Sequence, residues 1–242
     1  MKIILSIISL ILLKGIFIGF YIGVISLFGN SEIVYAFLLG LAISGLAHYF
    51  LIRKYPAIST FEHELTHAIV ALLFFRKVSN FVVTNGQGGS VSHSGNFGGK
   101  FGSLNITLAP YFLPTFTLIL VLLRPVIPTE HIIWFDVIIS FSFGYHLFST
   151  IDEIKINWTK VSFLSAGSDD LTKSDIAKSG YIFAFIYILT LTTLIHGIII
   201  WVWIDNYTGI INYFTIIYNS SKTLISEIII IFNQYWSVIF DK

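Results

Sequence analysis

The chain has 242 residues with no cysteine, one methionine, five prolines and only 11% charged side chains. Without cysteine there are no disulfides, no thiolate nucleophile and no thiolate metal site, so any metal must be held by histidine and carboxylate. The formal net charge is +1 and no basic run occurs, which excludes the electrostatic footprint of a nucleic-acid binder. So little charge, beside 55% hydrophobic residues and a mean hydropathy of +0.84, also excludes an ordinary water-soluble domain.

What the chain does have is long apolar blocks, and a helix needs about 20 such residues to cross the hydrocarbon layer. The first runs from Ile3 to Phe28 without a small-residue cleavage site, so it is expected to be a retained anchor. Gly15, Gly19 and Gly23 recur on one of its faces, which permits close packing against another helix. A second span is expected from about Ile33 to Ile52, ending at Arg53-Lys54, and a third helix from Ala57 to Phe75, opened by Pro56 with Ser59 or Thr60 as a cap.

Between Val78 and Gly102 the texture changes. Phe81 to Thr84 reads as a strand, Asn85-Gly86 as a turn, and six glycines follow, so a hairpin-like region is expected, with His93 in a loop. Two more helices, Leu104–Leu123 and His131–Thr150, precede a charged, water-facing loop over 151–179. A further span covers 180–204, and the tail to Phe240 is apolar but interrupted. The expectation is a mainly α, polytopic membrane protein with about six transmembrane helices and a small Gly-rich β-hairpin. Its parts would be two N-terminal helices (1–55), a catalytic core (56–204) and an apolar tail (205–242).

The chemistry sits in His63-Glu64-Leu65-Thr66-His67. On a helix, residues four apart share a face, so His63 and His67 can offer two nitrogens to one metal ion, while Glu64 can reach a water activated by that metal. With 7 histidines and 6 glutamates, a chance His-Glu-x-x-His has an expectation of about 0.005 in this chain. Ionisable residues in an otherwise membrane-like helix are costly and point the same way. A third ligand is required, and the candidates are His93, Glu130, His131, Asp136, His146, Asp152, Glu153, Asp169, Asp170, Asp175 and His196.

Charge suggests the topology. With Lys2 and Arg53-Lys54 inside, the third helix starts on the inner side, and Lys155, Lys160, Lys173 and Lys178 put the 151–179 loop there too. Three intervening helices would place that loop outside, unless the Gly-rich stretch dips into the membrane. A strand there, close to the metal, could pair with an extended substrate peptide.

Together, Phe61-Glu62-His63-Glu64-Leu65-Thr66-His67-Ala68, Gly86-Gln87-Gly88-Gly89-Ser90-Val91 and Leu108-Ala109-Pro110-Tyr111-Phe112-Leu113-Pro114 resemble the site-2-protease class of intramembrane zinc metallopeptidases, in its compact members. The likeness covers roughly residues 56–185. It implies a zinc ion held by His63 and His67, with Glu64 as general base and a distant Asp as third ligand. The family's Asp-Gly ending is absent here; Ser174-Asp175-Ile176-Ala177-Lys178-Ser179-Gly180 looks like the corresponding segment, so Asp175 is taken for that ligand, with Asp170 second. His146 could contact substrate or an oxyanion. The implied substrate is a membrane-embedded or membrane-tethered peptide, met in a bacterial-type cell membrane towards the cytoplasmic side. The alternatives are a membrane zinc peptidase with a Glu ligand, for which Glu153 is the candidate, and a scaffold that keeps the fold without the catalysis.

Overall fold

The computed structural model describes residues 1–84, 88–159 and 175–240. Eight helices and one hairpin follow one another as α1 (Lys2–Phe28), α2 (Ser31–Ala47), α3 (Ala57–Leu73), β1 (Lys77–Thr84), β2 (Gly88–Ser94), α4 (Gly99–Leu108), α5 (Thr115–Leu123), α6 (Ile132–Thr159), α7 (Asp175–Ser179) and α8 (Tyr181–Phe240). The Asn85-Gly86 turn, Lys160, Asp169, Asp170 and Lys173 lie outside the described residues.

Four of these helices are long and apolar enough to cross a membrane, and a fifth span is added if the bent pair α4–α5 counts as one. The expected mainly α, polytopic architecture with a Gly-rich hairpin is observed, with two local features in its spans. With 17 residues, α3 is shorter than a full span. The apolar stretch Tyr181–Gln234 is one helix by hydrogen bonding but is broken at Asp205 and Asn206, where Asn206 has φ 52°. There the chain turns back on itself: the Tyr213 hydroxyl lies 3.2 Å from the carbonyl oxygens of both Thr193 and Ile16. The tail therefore packs against the first half of α8 and against α1.

The glycine stripe of α1 serves that packing. A methyl group on Gly19 would stand 2.6 Å from the Tyr213 ring, and Gly15 and Gly23 meet Ile217 and Trp201 just as closely. In lipid, where apolar contact carries no hydrophobic advantage, such close backbone approach is what holds helices together. Between α1 and α2 the chain turns at Gly29-Asn30, and the Asn30 side chain caps α2 by accepting from the Ile33 amide at 3.2 Å. The last turn of α2 widens into a π-helical turn, His48–Ile52.

At the start of α3, Ser59 and Thr60 do not cap the free amides. Their hydroxyls instead donate back to the Pro56 carbonyl, both at 3.0 Å. The strand after α3 is longer than the Phe81–Thr84 core of the pattern. β1 and β2 pair antiparallel from Lys77 with Ser94 to Thr84 with Gly88, and His93 is a strand residue opposite Val78.

Where one helix was expected over Leu104–Leu123, Pro110 and Pro114 break it. α4 and α5 meet at 85° across Ala109–Pro114. This break removes the parity conflict. α4 runs back along α3, and α5 then leads away to Arg124, so α6 returns with Asp152 beside His48 and Arg53. The charged residues at 152–153 belong to α6, which continues to Thr159, and not to a water-facing loop. A core of Val70, Ala71, Leu104, Leu108, Phe112, Ile176 and Tyr187 ties α3, α4, α7 and α8 together around the histidines.

Candidate metal centre

One turn of α3 separates His63 from His67, and their Nε2 atoms face each other at 3.1 Å. Asp175, the first residue of α7, completes the group: its Oδ2 lies 3.5 Å from His67 Nε2 and 3.9 Å from His63 Nε2. Among the described residues these three form the one cluster of potential metal-ligating side chains with its donor atoms so gathered.

The outer ring nitrogens explain the orientation. His67 Nδ1 is 2.6 Å from the Ile106 carbonyl, which can only accept, so the proton sits on Nδ1 and the Nε2 lone pair points inward. The Nδ1–H of His63 donates to Glu153 Oε2 at 2.8 Å. Carboxylate and carbonyl partners of this kind are the usual outer shell of a ligating histidine. Tyr111, in the break after α4, packs edge-on against the His63 ring at 5.7 Å and limits its rotation.

Three electron-rich atoms that face one another need positive charge between them. Their separations of 3.1, 3.5 and 3.9 Å bracket the roughly 3.3–3.6 Å edge of a tetrahedron with zinc–ligand bonds of about 2.0–2.2 Å. The donor set and its spacing therefore fit such an ion. Lys178 Nζ lies 3.3 Å from the other Asp175 carboxylate oxygen.

Glu64, buried on α3, is close enough to interact electrostatically with His63, His67, Asp175 and Glu153. β2 lies directly on it. A methyl group on Gly89 would come within 2.5 Å of Glu64 Cγ, and also close to Thr60, so only glycine lets the strand approach this far.

Other candidates are engaged elsewhere. Asp136 is clasped by Arg124 through two hydrogen bonds, 2.6 and 2.9 Å, and accepts a third from the Trp203 indole at 2.8 Å. Asp152 meets His48 at 3.0 Å and Arg53 at 3.3 Å. His146 is buried with its ring nitrogens towards Glu62 (3.6 Å) and the Thr150 hydroxyl (3.4 Å), behind His63. His196 turns its Nδ1 to the Thr192 carbonyl at 2.7 Å. His93 sits on β2, where burial and the Arg76 guanidinium hold its imidazole below the ordinary value. Asp170 lies outside the described residues.

Sequence reasoning missed the role of Glu153 as a hydrogen-bond partner, and the Arg124–Asp136–Trp203 group altogether. The first left a trace, since Asp152 and Glu153 are adjacent acids at the end of an apolar helix.

Residues 34–148 match the model of the Peptidase M50B-like family, metallopeptidases of the site-2-protease type. By this match the chain is M50B-like over residues 34–148. No curated protein and no solved structure matches it. As an M50B-like peptidase it is a metal-dependent enzyme, and its several spans make it an integral multi-pass membrane protein. The matched region contains His63, Glu64 and His67 but ends before Asp175, so geometry alone brings that residue beside the two histidines.

Proposed function

We propose that this M50B-like chain is an intramembrane zinc metalloprotease that hydrolyses peptide bonds in membrane-tethered substrates, with His63, His67 and Asp175 as the ligands and Glu64 as general base. The convergence of two inward-facing Nε2 atoms and one carboxylate oxygen carries this reading. A zinc ion held there would supply the Lewis acidity that amide hydrolysis needs. Glu64 takes the proton of the attacking water and returns it to the leaving amine nitrogen. Glu153 and the Ile106 carbonyl keep the two imidazoles in the ligating tautomer.

Peptide bonds inside a helix are shielded by their own hydrogen bonds, so the substrate must be drawn out. The two-stranded sheet leaves each strand one unpaired edge, and β2 passes over Glu64 at Gly89. Pairing of an unwound substrate segment with this hairpin would carry the scissile bond to the base. The end of the molecule nearest the cluster holds Lys2, over the Phe183 ring, and Arg53, beside Asp152, which favours a site towards the cytoplasmic face. The rival with Glu153 as ligand is weakened by its bond to His63 Nδ1, the nitrogen that faces away from Asp175.

The test is Glu64→Gln in purified full-length protein with a membrane-embedded reporter peptide. Zinc content should stay at the wild-type level while cleavage falls by about 10²–10⁴-fold, the usual contribution of a general base. Undiminished cleavage by the variant would overturn the assignment.

A further inference from the structure

A cavity lies behind Tyr111, the residue that packs on the His63 ring. It has a volume of about 300 Å³ and lies between the end of α6, the break after α4, α7 and the first half of α8. Its walls are almost wholly apolar: Tyr111, Leu147, Ile154, Ile176, Leu189 and Thr192 contribute most of what matters here. Three of these are tied directly to the site. Tyr111 packs on the His63 ring, Ile176 follows Asp175 in the chain, and Ile154 follows Glu153.

Resting on the peptidase reading above, we infer that this cavity receives one large apolar side chain of the substrate, from a residue beside the bond that is cleaved. The size suits that occupant. It stands at the bottom of the roughly 300–1,000 Å³ range of small-ligand sites, enough for a leucine or phenylalanine side chain but not for a helix. Leu147 and Leu189 are more than one-third exposed on the outer side of α6 and α8, so the cavity opens towards lipid, the direction from which a membrane-tethered segment arrives. A larger cavity of about 630 Å³, lined by Leu51, Phe61, Phe116, Phe141 and Tyr145 among others, has no lining residue next in the chain to His63, His67, Asp175 or Glu153, and is not the pocket inferred here.

The inference fixes a selectivity. A hydrophobic pocket discriminates by about 10–200-fold per methylene at best, so a site one side chain deep should separate Leu or Phe from Ala by at least about tenfold. The experiment uses the zinc-loaded full chain in lipid bilayers and a reporter peptide whose scissile bond has been mapped by mass spectrometry. Each flanking residue is then varied among Leu, Phe, Ala and Asp. At one flanking position kcat/KM should favour Leu or Phe over Ala by tenfold or more and reject Asp. Leu189→Trp, which narrows the cavity from its lipid side, should lower that Leu-to-Ala ratio about tenfold at unchanged zinc content. Equal cleavage of the Leu and Ala peptides at both positions, or an unchanged ratio in Leu189→Trp, overturns the pocket and leaves the peptidase reading standing. A zinc-loaded wild-type protein that cleaves none of the peptides overturns that reading and the pocket with it.

Discussion

Two of the polar groups buried in this apolar bundle are built on opposite principles. At the far end of α6, both oxygens of Asp136 are taken by the Arg124 fork, and the Trp203 indole adds a third donor. Every charge there has its partner, and the result is a clasp between α5, α6 and α8. Around α3, in contrast, the outer nitrogens of His63 and His67 are satisfied while their inner nitrogens and Asp175 point at one another. Burial of charge alone thus does not mark a reactive centre. The direction of the unused lone pairs does.

The difference can be broken by substitution, with the largest effect first. Asp175→Ala should take bound zinc from about one per chain to near none, measured by elemental analysis of purified protein, because two imidazoles alone hold the ion poorly. Asp136→Ala should leave zinc content intact yet cost about 3–5 kcal/mol in unfolding experiments, since it strands Arg124 as an unpaired buried charge. If Asp136→Ala instead removed the metal, the clasp and the centre would not be separate devices.

Smaller effects sharpen the same contrast. Glu153→Gln should weaken zinc binding by about 10–100-fold in chelator competition, the scale expected for a group that orients a ligand. Lys14→Ala breaks the exposed pair with Glu227 and should change stability by less than about 0.5 kcal/mol, because both side chains are half exposed.

Much of this was legible in the sequence, and the reasons are local. His63, Glu64 and His67 are placed by the 3.6-residue period alone, and the glycine stripe of α1 follows from its spacing of four. The proline pair at 110 and 114 was visible, yet an apolar run on both sides masked the 85° break that it causes. The break at Asp205-Asn206 was legible as the end of the span 180–204, but the reversal of the chain there was not. Long-range pairing lay further out of reach. Asp136, Asp152, Glu153 and Asp175 are equally acidic in the sequence, and only the packing of α6 and α7 assigns Arg124 to the first, His48 and Arg53 to the second, His63 Nδ1 to the third and the inner nitrogens to the fourth.

Zinc K-edge absorption on the purified full chain, wild type beside Asp175→Ala, tests the centre most directly. The wild type should give two imidazole nitrogens and carboxylate oxygen within about 2.0–2.2 Å of the metal, and the variant should lose the ion. A wild-type spectrum with three imidazoles, or full zinc occupancy in Asp175→Ala, would contradict the account.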